Sequence, residues 1–185
     1  MDRTSRDRQN RGLTLIELLL VLVVLAISLQ VVVPGMQQLI RGNRLRTEAG
    51  RLLAALNLAR SEAVIRNAPV SLCPSAMAGT GVPGCAGAFS RGWMVFTDPD
   101  RNGVFDPGEE PIRAFEALPA GYALTDRSGG AAGITYLPDG SSRRNRTLLL
   151  CPPPGRQPDS WSVVLNSVGR ARAVRAAEPC PAGSA

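Results

Sequence analysis

From Leu13 to Val33 the chain is apolar at every position except Thr14, Glu17, Ser28 and Gln30, and an arginine-rich start carrying Arg3, Arg6, Arg8 and Arg11 precedes it. Crossing a bilayer takes about 20 apolar residues of helix, so this run is long enough to span one. Arginines resist translocation, which keeps the first residues in the cytoplasm and sends everything after Val33 to the other side. The competing reading is an ordinary secretory signal peptide cut at Ala26-Ile27-Ser28. Against it, the apolar run continues unbroken through Val33. Glu17 would also cost about 2.5 to 3.5 kcal/mol deep in a membrane helix, so it needs a function or a partner.

The cysteines agree with that orientation. Cys73, Cys85, Cys151 and Cys180 all follow the apolar run, none forms a CxxC pair, and the chain has no histidine with which to share a metal. Disulfides in an oxidising compartment are the simpler reading. Four cysteines allow three connectivities, and loop-closure entropy favours near neighbours, Cys73 with Cys85 and Cys151 with Cys180.

Pro34 removes an amide where the apolar run ends, a place where a helix loosens. Beyond it Leu45, Ala49, Leu52, Leu53, Leu56, Ala59, Ala63 and Val64 recur at helical spacing, with arginines between them. The pattern predicts one helix from about Thr14 to Arg66, roughly 80 Å long at 1.5 Å per residue. Its Met36 to Val64 stripe is expected to be core.

The residues Arg11-Gly12-Leu13-Thr14-Leu15-Ile16-Glu17-Leu18 resemble the class III leader of type IV pilins and type II secretion pseudopilins. The resemblance implies that a prepilin peptidase cuts between Gly12 and Leu13 and methylates the new amine of Leu13. It also implies that Glu17 serves assembly. The amine is cationic at neutral pH, and in low dielectric a carboxylate of one subunit and the amine of the next relieve each other's burial penalty. Leucine stands where the family more often has phenylalanine.

After Asn67 short β-rich runs alternate with Gly, Pro and Ser: 70–73, 92–96, 112–115, 133–137, 148–151 and 161–166. They predict a small antiparallel sheet covered by the helix stripe, an α+β domain. Leu58 to Val64 leading into a strand, and Gly92-Trp93-Met94-Val95-Phe96 followed by an Asp/Asn/Gly turn, resemble the GspH/FimT branch of minor pilins and pseudopilins. The expected organisation is a cleaved leader (1–12), a transmembrane and assembly helix (13–34), an amphipathic helix (35–67) and a disulfide-bonded β-rich domain (68–185). The resemblance implies a single-pass inner-membrane subunit with its C-terminal domain in the periplasm, surface-exposed once in a filament. Its partners would be other pilins, the peptidase and the membrane.

Two stretches are candidates for further chemistry. Asp98 to Glu109 has the D-x-D-x-N-G-x5-E spacing of a calcium loop. A β-like run precedes it and Pro111-Ile112 follows, where an EF-hand needs helices, so a solvated hairpin explains the residues and no metal site is expected. From residue 140 onward, seven arginines face only Asp159 and Glu178, an excess of five positive charges. Arg143, Arg144, Arg146, Arg170, Arg172 and Arg175 are candidates to neutralise phosphates. Gly169-Arg170-Ala171-Arg172 resembles the GRxR motif of DNA-binding FimT-type pilins, which implies double-stranded DNA as a partner and a role in natural transformation. Few aromatics are available to stack bases, which disfavours single strands.

A tip or priming subunit without DNA binding stands beside that reading, and a type II secretion pseudopilin is the alternative machine. Without histidine, lysine or a phosphate-binding glycine loop, neither catalysis nor a cofactor is expected.

Overall fold

A computed structural model describes residues 14–128, 133–153, 160–176 and 180. The expected cleavage site, Gly12 with Leu13, lies outside them, as does Arg156. The chain divides into two compact units, Met1–Ile40 and Arg41–Ala185. One helix, α1 (Leu15–Arg66), includes residues of both and continues across Pro34.

In the first unit every large apolar side chain described from Leu15 to Val33 is exposed, from 47% at Val33 to 78% at Leu15. Among the described residues no helix is long and apolar enough to cross a membrane, and the span expected over 13–34 begins outside them.

In the second unit α1 buries Leu45, Ala49, Leu52, Leu56, Ala59 and Ala63, three or four residues apart on one face. The expected stripe is shorter at both ends. Met36 belongs to the first unit and is 62% exposed, while Val64 stands one residue off the line ending at Ala63 and is 51% exposed.

The expected single sheet is two four-stranded antiparallel sheets. The first has the order β3-β2-β1-β5, built from β1 (Val70–Pro74), β2 (Trp93–Thr97), β3 (Pro111–Phe115) and β5 (Ile134–Tyr136). The second has the order β4-β6-β7-β8, built from β4 (Ala123–Asp126), β6 (Arg146–Cys151), β7 (Trp161–Leu165) and β8 (Ala171–Arg175). Strands β4 and β8 were not expected. They carry few β-branched residues, and pairing with β6 and β7 supplies what local propensity does not.

Period-two alternation gives each sheet an inner and an outer face. Val70, Leu72, Trp93, Val95, Ile134 and Tyr136 of the first sheet and Leu148, Leu150, Val163 and Leu165 of the second share one core with the α1 stripe. Each outer face carries its own small cluster with a disulfide in it. Cys73–Cys85 sits with Met94 and Phe96, and Cys151–Cys180 with Ala123 and Leu149. The expected pairing of near neighbours is the one formed.

Candidate functional site

Three regions hold the residues singled out by the sequence. The first is the start of α1. Thr14 accepts the amide of Glu17 on Oγ1 at 3.3 Å, and its carbonyl accepts the amide of Leu18 at 3.1 Å, so Thr14 caps the helix. Glu17 is exposed in the first turn, where the amide dipoles favour a carboxylate. Thr14-x-x-Glu17 is also the capping-box spacing. That signal was readable in the sequence and gives Glu17 a local role beside the expected one.

The second region is the arginine-rich end of the second sheet. The turn between β7 and β8 closes with the amide of Gly169 on the Asn166 carbonyl at 2.9 Å and the amide of Arg170 on Asn166 Oδ1 at 2.8 Å. Gly169 has φ +80°, a conformation side chains rarely adopt, and is buried against Gly140. From α1, Arg60 Nε donates to the Gly140 carbonyl at 2.9 Å and Nη2 to that of Val168 at 3.4 Å. The glycine of the Gly169-Arg170-Ala171-Arg172 motif is thus required by packing, whatever the arginines contact.

Arg170 and Arg172 are exposed, and Arg172 lies opposite Val164 on the outer face, while Ala171 and Ala173 turn inward onto the core. The loop bearing Arg143 and Arg144 is tied to the same turn, with the Ser142 amide on the Ser167 carbonyl at 3.0 Å and the Ser167 amide on Asn145 Oδ1 at 2.6 Å. Arg143, Arg144, Arg170 and Arg172 therefore gather at one end of the sheet. Arg143 also donates to the Arg101 carbonyl at 2.7 Å. Arg175 is exposed at the far end of β8, opposite Trp161, and is itself engaged.

Arg146 does not belong to this group. It is 6% exposed and ion-paired with Asp126 of β4, and it also donates to the Gly133 carbonyl at 3.4 Å. Such a pair is held by burial, and a phosphate could not reach it.

The third region is the loop from Asp98 to Glu109, between β2 and β3 with no helix on either side. Asp98 is fully buried and accepts Ser71 Oγ, Thr135 Oγ1 at 3.3 Å, and the amides of Asn102 and Gly103 at 3.1 Å each. Asn102 Nδ2 bridges Asp100 at 2.8 Å and Asp106 at 2.6 Å. Carboxylate oxygens of Asp98, Asp100 and Glu109 come within 4.8 Å of one another. Burial first, and then repulsion from Asp98, Asp100 and Asp106, hold the Glu109 pKa above the ordinary carboxylate range. The buried Ser71–Asp98–Thr135 network gave no sequence signal, because its members are far apart in the chain.

Comparison with known proteins agrees with this architecture. The family described as Type II transport protein GspH matches residues 48–169, and the prokaryotic N-terminal methylation motif matches residues 7–29. Pilin-like protein PilA1 of Thermus thermophilus is 36% identical over 168 residues, covering 89% of this chain and 91% of that protein. The type IV minor pilin FimU of Pseudomonas aeruginosa shares the fold at a TM-score of 0.53 and 21% identity, over 70% of this chain and 87% of that structure. The minor pseudopilin EpsH of the Vibrio cholerae type 2 secretion system does so at 0.51 and 18%, over 73% and 99%. With the GspH match spanning residues 48–169 and a pilin-like relative aligned along nearly its whole length, the chain belongs to the GspH family of pilin-like proteins.

Proposed function

We propose that the chain is a non-catalytic minor subunit of a type IV pilus, acting at the tip or in the priming complex. The observation that carries this reading is the exposure of every large apolar side chain described from Leu15 to Val33. Apolar area on that scale needs cover, from lipid before assembly and from neighbouring subunits' helices afterwards. In this reading a prepilin peptidase removes 1–12 after Gly12 and methylates Leu13, and the N-terminal segment holds the chain in the inner membrane with residues 41–185 in the periplasm. The methylation-motif match at residues 7–29 and the two disulfides support that course.

The same reading assigns double-stranded DNA to Arg143, Arg144, Arg170 and Arg172, with natural transformation as the purpose. Their gathering at one end of the second sheet supports it. Phosphate contacts of this kind are salt-sensitive and nearly indifferent to sequence. Gel shifts at two salt concentrations test it. The double variant Arg170→Gln/Arg172→Gln should bind more weakly and lose about 1.8 from the slope of log K against log salt; unchanged affinity and slope would sink the DNA assignment.

A type II secretion pseudopilin is the second reading, favoured by the GspH family description and by the fold shared with EpsH. Deleting the gene and scoring twitching, DNA uptake and exoprotein secretion side by side separates them. Loss of secretion with normal twitching would replace the pilus reading by this one.

A further inference from the structure

Strand β8 is the last strand of the second sheet, and among the described residues nothing pairs with its outer edge. In an antiparallel pair, hydrogen-bonded and non-bonded positions alternate. Asn166 donates to the Arg170 carbonyl at 3.1 Å and Ala176 to the Ser160 carbonyl at 2.8 Å. With the register Val164↔Arg172 and Ser162↔Val174 between them, Arg170, Arg172, Val174 and Ala176 direct their backbone groups at β7. The amides and carbonyls of Ala171 and Ala173 therefore point out of the sheet.

Open edges invite another strand, and proteins usually blunt them by shortness, proline, bulges or charged side chains, of which β8 carries only the last. The other three edges here are blunted. Strand β3 begins with Pro111 and pairs with β2 through a register shift at Val95/Phe96. Strand β5 has three residues, one of them bridged to Ser142, and β4 has four. Strand β8 has five residues, with no proline and no register shift against β7.

Charge selects what can dock there. Arg172 and the adjacent Arg170 are exposed on the outer side, and Ala171 and Ala173 leave little side-chain bulk on the inner side. A second copy of β8 would bring arginines against arginines, and like charges across a strand pair are destabilising. We infer that the outer edge of β8 is a docking edge for an extended, acidic segment of another protein, added as a fifth strand. Such a segment would form main-chain bonds with Ala171 and Ala173. Its carboxylates, two residues apart, would face Arg170 and Arg172, with apolar residues alternating on the inner side. This goes beyond the DNA reading, because it uses the backbone edge of the strand as well as its charged face.

The test uses the full chain in detergent with two synthetic ten-residue peptides, one alternating glutamate with valine and the other lysine with valine. Residue-resolved amide exchange is followed with each peptide and with a duplex DNA fragment. The glutamate peptide should slow exchange at Ala171 and Ala173, whose amides face outward, and the lysine peptide should not. Ala173→Pro deletes an outward amide without touching the β7 ladder, so it should keep its melting temperature within a few degrees while weakening the glutamate peptide about fivefold. If Ala173→Pro does not fold, the exchange result on the unaltered chain decides. The proposal is overturned if the glutamate peptide does not bind, if it binds while both amides exchange freely, or if duplex DNA protects the same two amides equally well.

Discussion

A β-carbon on Gly169 would stand 1.9 Å from the carbonyl oxygen of Gly140. The contact divides the Gly169-Arg170-Ala171-Arg172 motif into a glycine that the fold requires and arginines that it leaves exposed. Gly169→Ala combines overlap with backbone and a positive φ, and should cost more than about 1 kcal/mol. Arg170→Gln and Arg172→Gln should each stay within about 0.5 kcal/mol. Urea unfolding of the three variants checks this, and a neutral Gly169→Ala would show that the turn repacks freely.

Arg146 and Asp126 are both nearly buried, with side chains 7% and 9% exposed. Removing one partner strands the other charge, so Arg146→Ala should destabilise by about 3 to 5 kcal/mol, and replacing both with apolar residues should restore much of it. If Arg146 instead served DNA, its loss would weaken binding without moving the melting temperature.

The two disulfides close loops with sequence separations of 12 and 29 residues. Each should contribute about 2 to 4 kcal/mol, and the chain-entropy account makes the Cys151–Cys180 bridge the larger by roughly 0.8 kcal/mol. Paired cysteine-to-serine variants compared by denaturant unfolding measure both. The opposite ranking would point to the small outer-face clusters, and not loop closure, as the main term.

Glu109 binds its proton more tightly folded than unfolded, because burial and then its carboxylate neighbours raise its pKa. Stability from such a group is complete below the unfolded value, about 4.3, and is lost as pH rises through the folded one. Glu109→Gln retains an acceptor for the Asp106 amide, which Glu109 Oε2 now holds at 2.8 Å. Its melting temperature should therefore exceed that of the unaltered chain at neutral pH, with the gap closing as the pH falls through the raised pKa and constant below about 4. A gap that widens on acidification would contradict the assignment.

Much of this architecture was legible because it is local. The recurrence of Leu45, Ala49, Leu52, Leu56, Ala59 and Ala63 announces a helix face, and the apolar runs around Leu72, Val95 and Leu149 announce strands. What escaped depends on distant pairing. Ala171 to Arg175 has little strand propensity and becomes β8 by its register with β7, and nothing local says that eight strands divide into two sheets. The same holds at the candidate sites. Exposure of Arg170 and Arg172 follows from alternation, whereas Arg146 looks identical in sequence and is claimed by Asp126 from a strand 20 residues away.

In the proposed filament the Glu17 carboxylate of one subunit would meet the Leu13 amine of the next. Thr14 Oγ1 caps α1 by accepting the backbone amide of Glu17, and Glu17→Gln keeps the side-chain size and the capping-box spacing while removing the carboxylate. The decisive measurement is the amount of the chain in sheared filaments from cells producing the unaltered protein or Glu17→Gln, with processing after Gly12 verified in both. Processing should be normal and Glu17→Gln should be missing from the filaments; incorporation equal to that of the unaltered protein would show that subunits join without the Glu17 charge.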